Sequence, residues 1–438
     1  MVTLRQLFAG MAIVFLFVGP AWGGDGDSVS VERGAYIADI GDCTSCHTAP
    51  GHQDFAGGLP LQAPFGTIFS TNITPDPKFG IGGYSRPQFI RVMREGVAAD
   101  GHHLYPAMPY ASFSAASDDD LNALYDYLMK GVKPVAYQPP RTKLVFPFNQ
   151  RWGLIFWDVV FARHDRFAPD PSRDAQWNRG AYLVQGFGHC GACHTPRGLA
   201  YEEKGYDQKS SSYLRGAVAD KWATANLTGD LGSGLGRWSE ADVAAFLKTG
   251  HGGKVAAFGN MKEAVEKSTQ HLTDADAAAI AHYLKSFPEK DGTIAFQPSA
   301  AEVVNRDHAD LSGERELPGA GLFASACAGC HGKAGEGQLP RFPEIAGNPV
   351  VLTRNPISLM RIVLEGSTSA ETATGPKAEK MPAFAHLTDR EIAEVVTFVR
   401  QSWGNSAPPV SERDVSSLRG QLAQTRKVQE EETEKAGR

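Results

Sequence analysis

The 438-residue sequence has no apolar run of about 18 residues, which excludes a chain that threads a membrane repeatedly. It has no basic excess either. Lys and Arg number 43 against 49 Asp and Glu, a formal net charge of −6, so a nucleic-acid-binding surface is not its main feature. No Gly-x-Gly-x-x-Gly follows a strand pattern, and no acid–base constellation for a sugar or alcohol substrate stands out. Methionine is scarce, with eight, and cysteine scarcer, with six. Glycine (47) and proline (27) are plentiful, which suits a loop-rich protein with modest helices. The length allows two to four domains, each able to bury a core.

All six cysteines fall in three copies of one pattern: Cys43-Thr-Ser-Cys46-His47, Cys190-Gly-Ala-Cys193-His194 and Cys327-Ala-Gly-Cys330-His331. This spacing is that of c-type haem attachment. Two thiols three positions apart can form thioethers with the two vinyl groups of one porphyrin, and the next histidine sets an imidazole under the iron. Structural disulfides, zinc knuckles and a thioredoxin-like redox turn are the competing readings. Disulfides would not require a histidine after each pair. Zinc knuckles come in twos, and a redox turn comes once. Three covalently bound haem c groups are therefore expected.

The surroundings of the motifs repeat as well. Arg33-Gly-Ala-Tyr36 precedes the first and Arg179-Gly-Ala-Tyr182 the second, with a shorter Gly321-Leu-Phe323 before the third. Ser117-Asp118, Thr273-Asp274 and Thr388-Asp389 read as helix N-caps, each with an aromatic nine residues after the aspartate: Tyr127, Tyr283 and Phe398. Asn72-Ile-Thr74 and Asn226-Leu-Thr228 match a glycosylation sequon, yet both precede an aromatic (Tyr84, Trp238) and then a glycine (Gly96, Gly250) at equal offsets. A structural bond to a loop carbonyl or to a haem propionate is expected there.

A thioether sulfur as second axial ligand raises a haem's potential. Met108 and Met381 both precede a proline just before a closing helix, a rigid way to present sulfur. Met261 is the one methionine between Cys193 and the next closing helix, with His251 or His271 as fallback. His47, His194 and His331, with Met108, Met261 and Met381, are thus the expected iron ligands. Met93, Met129 and Met360 lie on apolar helical stripes and read as core.

Residues 1–23 read as an export signal, with Arg5, a short apolar core and Ala21-Trp22-Gly23 as cleavage site. Residues 136–175 form an aromatic-rich linker, suited to an interdomain clamp or to a membrane- or partner-facing surface. Residues 291–316 read as a polar linker, and the charged C-terminal tail 405–438 as a solvated extension.

Several stretches carry a resemblance: Asn72 to Pro77 with Gly80-Ile-Gly82, Asp100 to Tyr110, Trp177 to Tyr182, Cys190 to Pro196, Ser268 to Asp274 and Met381-Pro-Ala-Phe384. In these the sequence resembles the three-haem cytochrome c subunits of membrane-bound bacterial dehydrogenases, the alcohol and gluconate 2-dehydrogenase cytochrome subunits. The resemblance spans about residues 30–405. It implies a partner flavin or quinoprotein subunit that oxidises the substrate. This chain would receive the electrons and pass them to ubiquinone, in the periplasm at the face of the inner membrane. The expected fold is mainly α: three tandem cytochrome c-like domains (30–135, 176–290 and 317–404) joined by loop-rich linkers. The rival readings are a stand-alone periplasmic multihaem shuttle and a multihaem oxidoreductase of peroxidase type with an open sixth position.

Overall fold

The computed structural model describes residues 25–289, 296 and 317–436, so the export-signal reading of 1–23 and nearly all of the 291–316 linker lie outside the described residues. The chain is mainly helical. In order come α1 (Asp25–Ile40), α2 (Cys43–His47), α3 (Arg86–Glu95), α4 (Tyr110–Phe113), α5 (Asp118–Asp126), α6 (Gly153–Phe161), α7 (Ala175–Gln185) and α8 (Cys190–His194). After them come α9 (Glu240–Thr249), α10 (Gly259–Lys267), α11 (Asp274–Lys285), α12 (Ala320–Ala326), α13 (Ala328–His331), α14 (Pro349–Leu352), α15 (Ile357–Glu365), α16 (Asp389–Gln401) and α17 (Glu412–Ala436). Strands are short. The longest sheet among the described residues is the antiparallel β1 (Pro60–Ala63), β2 (Gly66–Phe69) and β3 (Lys143–Leu144).

One helix pair recurs three times: α1 against α5, α7 against α11 and α12 against α16. Glycine makes the first two crossings possible. A β-carbon on Gly34 would lie 2.0 Å from the Ala123 carbonyl oxygen, and one on Gly180 would lie 1.9 Å from that of Ala279. The second helix of each pair starts as its sequence dictates, with Ser117, Thr273 and Thr388 accepting from the backbone N–H of Asp120, Asp276 and Glu391.

The remaining residues of the Arg-Gly-Ala-Tyr motif tie the first two units together. Arg33 Nε donates to Asp120 at 2.7 Å, and Arg179 donates to Asp276 at 2.7 and 2.8 Å, each within its own unit. The tyrosines cross over. Tyr36 donates to Asp276 at 2.6 Å, and Tyr182 to Asp120 at 2.5 Å. Burial, with the adjacent carboxylate, pushes both phenols up to about 12, so they stay donors. Beneath this reciprocal clasp a single apolar core runs through both units, joining Ile37, Leu121 and Leu124 to Leu183, Phe187 and Ile280.

The third unit has its own core around Phe323, Ile392, Phe398 and Trp403. The tail does not extend into solvent as expected. Val415, Leu418 and Leu422, spaced for one face of α17, are buried in this core, and Arg419 donates to Asp389 and to the Ala385 and Leu387 carbonyls. As far as Lys427, the charged residues of α17 other than Arg419 are exposed, on the outer face of an amphipathic helix. The 136–175 segment is likewise folded onto the first unit. Its β3 extends the β1–β2 hairpin, and the Phe167 N–H donates to the Ala115 carbonyl.

Replacing Gly180 with Ala should part α7 from α11 and cost about 1–3 kcal/mol, the range for overpacking a filled contact. A lowered denaturant midpoint would show it, and an unchanged midpoint would contradict the crossing.

Candidate functional site

The three motif histidines share one arrangement. Nδ1 of His47 lies 2.6 Å from the Thr71 carbonyl oxygen, Nδ1 of His194 lies 2.8 Å from that of Ala225, and Nδ1 of His331 lies 3.1 Å from that of Pro343. A carbonyl only accepts, so each Nδ1 carries the proton and each Nε2 keeps its lone pair for a metal. Loss of hydration moves all three imidazoles below their ordinary pKa, which keeps them neutral as a ligand must be.

This arrangement accounts for the paired asparagines. Thr71 and Ala225 immediately precede Asn72 and Asn226, so the asparagine loop carries the carbonyl that orients the histidine. Asn72 is buried; its Nδ2 donates to Val135 at 2.8 Å and Tyr137 at 2.9 Å, and its Oδ1 accepts from the backbone N–H and hydroxyl of Thr74. Asn226 accepts from Thr228 in the same way. A loop carbonyl, one of the two partners expected, is what Asn72 binds. Burial excludes a glycan at this position.

The six cysteines are unpaired. Burial pushes the thiols of Cys46 and Cys190 up to about 12 and that of Cys327 to about 11, and raises Cys43 and Cys193 as well. Two free thiols three positions apart in each turn suit thioether bonds to the two vinyl groups of one porphyrin.

A cavity of about 830 Å³ with mainly apolar walls runs beside these motifs. His194 and Met261 line it, as do His331 and Met381, and it reaches the first motif at Cys46 and at Pro106, Ala107 and Pro109. Met108, half-buried against the shared core, and His47 do not line it. Met381 is held in a two-residue strand opposite Ser367, whereas Met261 projects from α10. His251 has a buried Nε2 without a hydrogen bond, yet neither it nor His271 lines the cavity. Imidazoles with open Nε2, paired thiols, soft thioethers and an apolar enclosure together fit an iron porphyrin.

Sequence reasoning missed Arg197, whose Nη2 donates at 2.5 Å to the Ala192 carbonyl inside the second motif, and the buried Glu203 beside it. Neither lies in a repeated segment, so no spacing signalled them.

Asn72→Ala would leave the Val135 and Tyr137 carbonyls without their donor and loosen the loop behind His47. The expected cost is about 1–3 kcal/mol, read as a lower thermal midpoint. An unchanged midpoint would rule the loop-pinning role out.

Comparison with known proteins agrees with this chemistry. The cytochrome c family pattern matches residues 178–288 and 317–403. The chain is 45% identical over 404 residues to the cytochrome c subunit of alcohol dehydrogenase (quinone) of Gluconacetobacter polyoxogenes, covering 90% of this chain and 85% of that one. It is 45% identical over 396 residues to the gluconate 2-dehydrogenase cytochrome c subunit of Pantoea cypripedii, covering 89% of each. To the fructose dehydrogenase cytochrome subunit of Gluconobacter japonicus it is 38% identical over 411 residues, covering 89% of this chain and 82% of that one. With its repeated haem-attachment turns and matches along nearly its whole length, the chain belongs to the family of c-type cytochrome subunits of the alcohol and gluconate 2-dehydrogenases.

Proposed function

We propose that this chain is a three-haem electron-transfer subunit that accepts electrons from a flavin or quinoprotein dehydrogenase subunit and delivers them to ubiquinone at the periplasmic face of the inner membrane. The observation that carries the reading is the threefold recurrence of a histidine locked by Nδ1 to a carbonyl, with Nε2 open, directly after a pair of free cysteines. Each bound haem would supply one-electron chemistry, and the polypeptide supplies position and enclosure. Cys43 and Cys46, Cys190 and Cys193, and Cys327 and Cys330 hold the three groups. His47, His194 and His331, with Met108, Met261 and Met381, would be the protein ligands to the irons. The haem-bearing units are 30–135, 176–290 and 317–404.

The second unit is the relay. It shares a core and the tyrosine clasp with the first, and one cavity with the third. The Cys46 thiol is also close enough to Cys193 to feel its charge. Met261 on the cavity wall favours a filled sixth position there, and so an electron carrier over a peroxidase. The substrate is an alcohol, gluconate or another polyol or sugar handled by the partner, in keeping with what the relatives are named for.

The exposed apolar side of α6 supports attachment to the membrane surface. Trp152, Ile155, Phe156, Val159 and Val160 recur at helical spacing and are 46–79% exposed, which is the interfacial pattern of a helix lying in a bilayer surface. The opposite side is pinned. Asp158 is buried and accepts from Tyr110 and His103, both at 2.5 Å, and Trp157 donates to the Ala200 carbonyl. An interdomain clamp was one expectation for this segment. It describes only that inner side.

Replacing Met381 or Met261 with His, one at a time, should lower the potential of one haem only, by on the order of 0.1 V or more, since axial ligands command about 0.8 V. A redox titration unchanged by either substitution would count against that ligand. Changing Trp152, Phe156 and Val159 together to Ser should weaken binding to anionic phospholipid vesicles at least tenfold. Equal binding would place membrane attachment elsewhere.

A further inference from the structure

The second motif has a carboxyl group pressed against it that the electron-carrier reading does not use. Glu203 is 8% exposed, and its Oε2 is buried with no hydrogen-bond partner. It lies on the haem-attachment turn itself. A β-carbon placed on Gly191, between Cys190 and Cys193, would meet Glu203 Oε2 at 2.8 Å. Among the described residues the cation paired with it is Arg197, with Nη1 3.9 Å from the other carboxyl oxygen, and that guanidinium already donates to the Ala192 and Tyr201 carbonyls. On the remaining sides stand the Tyr213 hydroxyl, itself buried and unpartnered, Tyr206 and the Cys193 sulfur; Arg163 and Glu202 face Tyr206 beyond them. Glu203 is thus a buried acid held by one distant, shared counter-charge next to a redox centre.

We infer that Glu203 is a proton-binding site coupled to the redox state of the second haem, a reading that rests on haem attachment at Cys190 and Cys193. An oxidised haem carries one more positive charge than a reduced one, and that charge favours the ionised carboxylate. When one electron enters the second site, Glu203 takes up one proton from solvent, so the charge of the pair is unchanged. When the electron leaves, the proton returns to solvent. Burial, opposed only in part by the Arg197 charge, moves this carboxyl up to about 7, so the exchange falls in the neutral range. The sign follows: the potential of the second haem falls as pH rises through that range, because reduction must draw a proton from a scarcer supply. The unpartnered Oε2 is where the proton would reside.

The test is a potentiometric titration of the haem-loaded protein from about pH 5 to 9, with optical detection, for the native chain and Glu203→Gln. The native protein should show one haem whose midpoint falls with pH, at up to 59 mV per tenfold change in proton concentration for a one-electron couple. In E203Q that midpoint should become level while the other two keep their profiles. The same slope in E203Q would overturn the assignment. Redox-difference infrared spectroscopy gives a second readout. A protonated carboxyl C=O band should appear on reduction of the native protein and be missing in E203Q, and a band present in both would also overturn it. A colourless protein would end the haem reading itself, whereas a fully loaded protein with pH-independent potentials ends only this inference.

Discussion

An imidazole can offer a metal one nitrogen in a fixed direction only if its other nitrogen is already engaged, and the rest of this molecule is arranged around that requirement. The carbonyls of Thr71, Ala225 and Pro343 meet it for His47, His194 and His331. Each carbonyl must then be immobile. In the first unit a buried asparagine tethers the loop to Val135 and Tyr137, and the loop as a whole rests on the helix pair behind it. Packing, loop geometry and ligand chemistry are in this sense one chain of dependence, running from glycine at a helix crossing to a lone pair on Nε2.

The reciprocal clasp adds a second level. Arg33 and Arg179 each stay with the aspartate of their own unit, while Tyr36 and Tyr182 reach the aspartate of the other, so the same four-residue motif builds each unit and joins it to its neighbour. Asp276 shows the balance. Burial pushes its carboxyl up, yet the Arg179 and Tyr36 hydrogen bonds bring it below its ordinary value. For a carrier of electrons between centres, such rigidity is useful because transfer depends on fixed separation. The third unit keeps its own core and meets the second through the shared cavity, with α17 folded back upon it.

What was legible in the sequence was what local covalent chemistry dictates. The two thiols and a histidine must sit within one helical turn, so Cys43 to His47 can be recognised without knowing the fold. The N-caps at Ser117, Thr273 and Thr388 were legible for the same reason, since capping is decided within three residues. Features set by distant residues were not. Gly34 and Gly180 were visible as parts of a repeat, but their purpose appears only when Ala123 and Ala279 pass within 2.0 Å of the missing β-carbon. The tail looked solvated because a run of glutamates hides Val415, Leu418 and Leu422, and α6 has one buried and one exposed side that composition cannot separate. Glu203 gave no sign at all, for burial of an acid is a property of the fold.

The central claim is that three porphyrins are joined to this chain through its six cysteines. Intact mass spectrometry of the denatured mature protein, with thiol alkylation before analysis, tests it most directly. The account predicts a mass increase of three haem groups and no alkylated cysteine. A chain carrying fewer than three, or six thiols that all react with the alkylating agent, would contradict it.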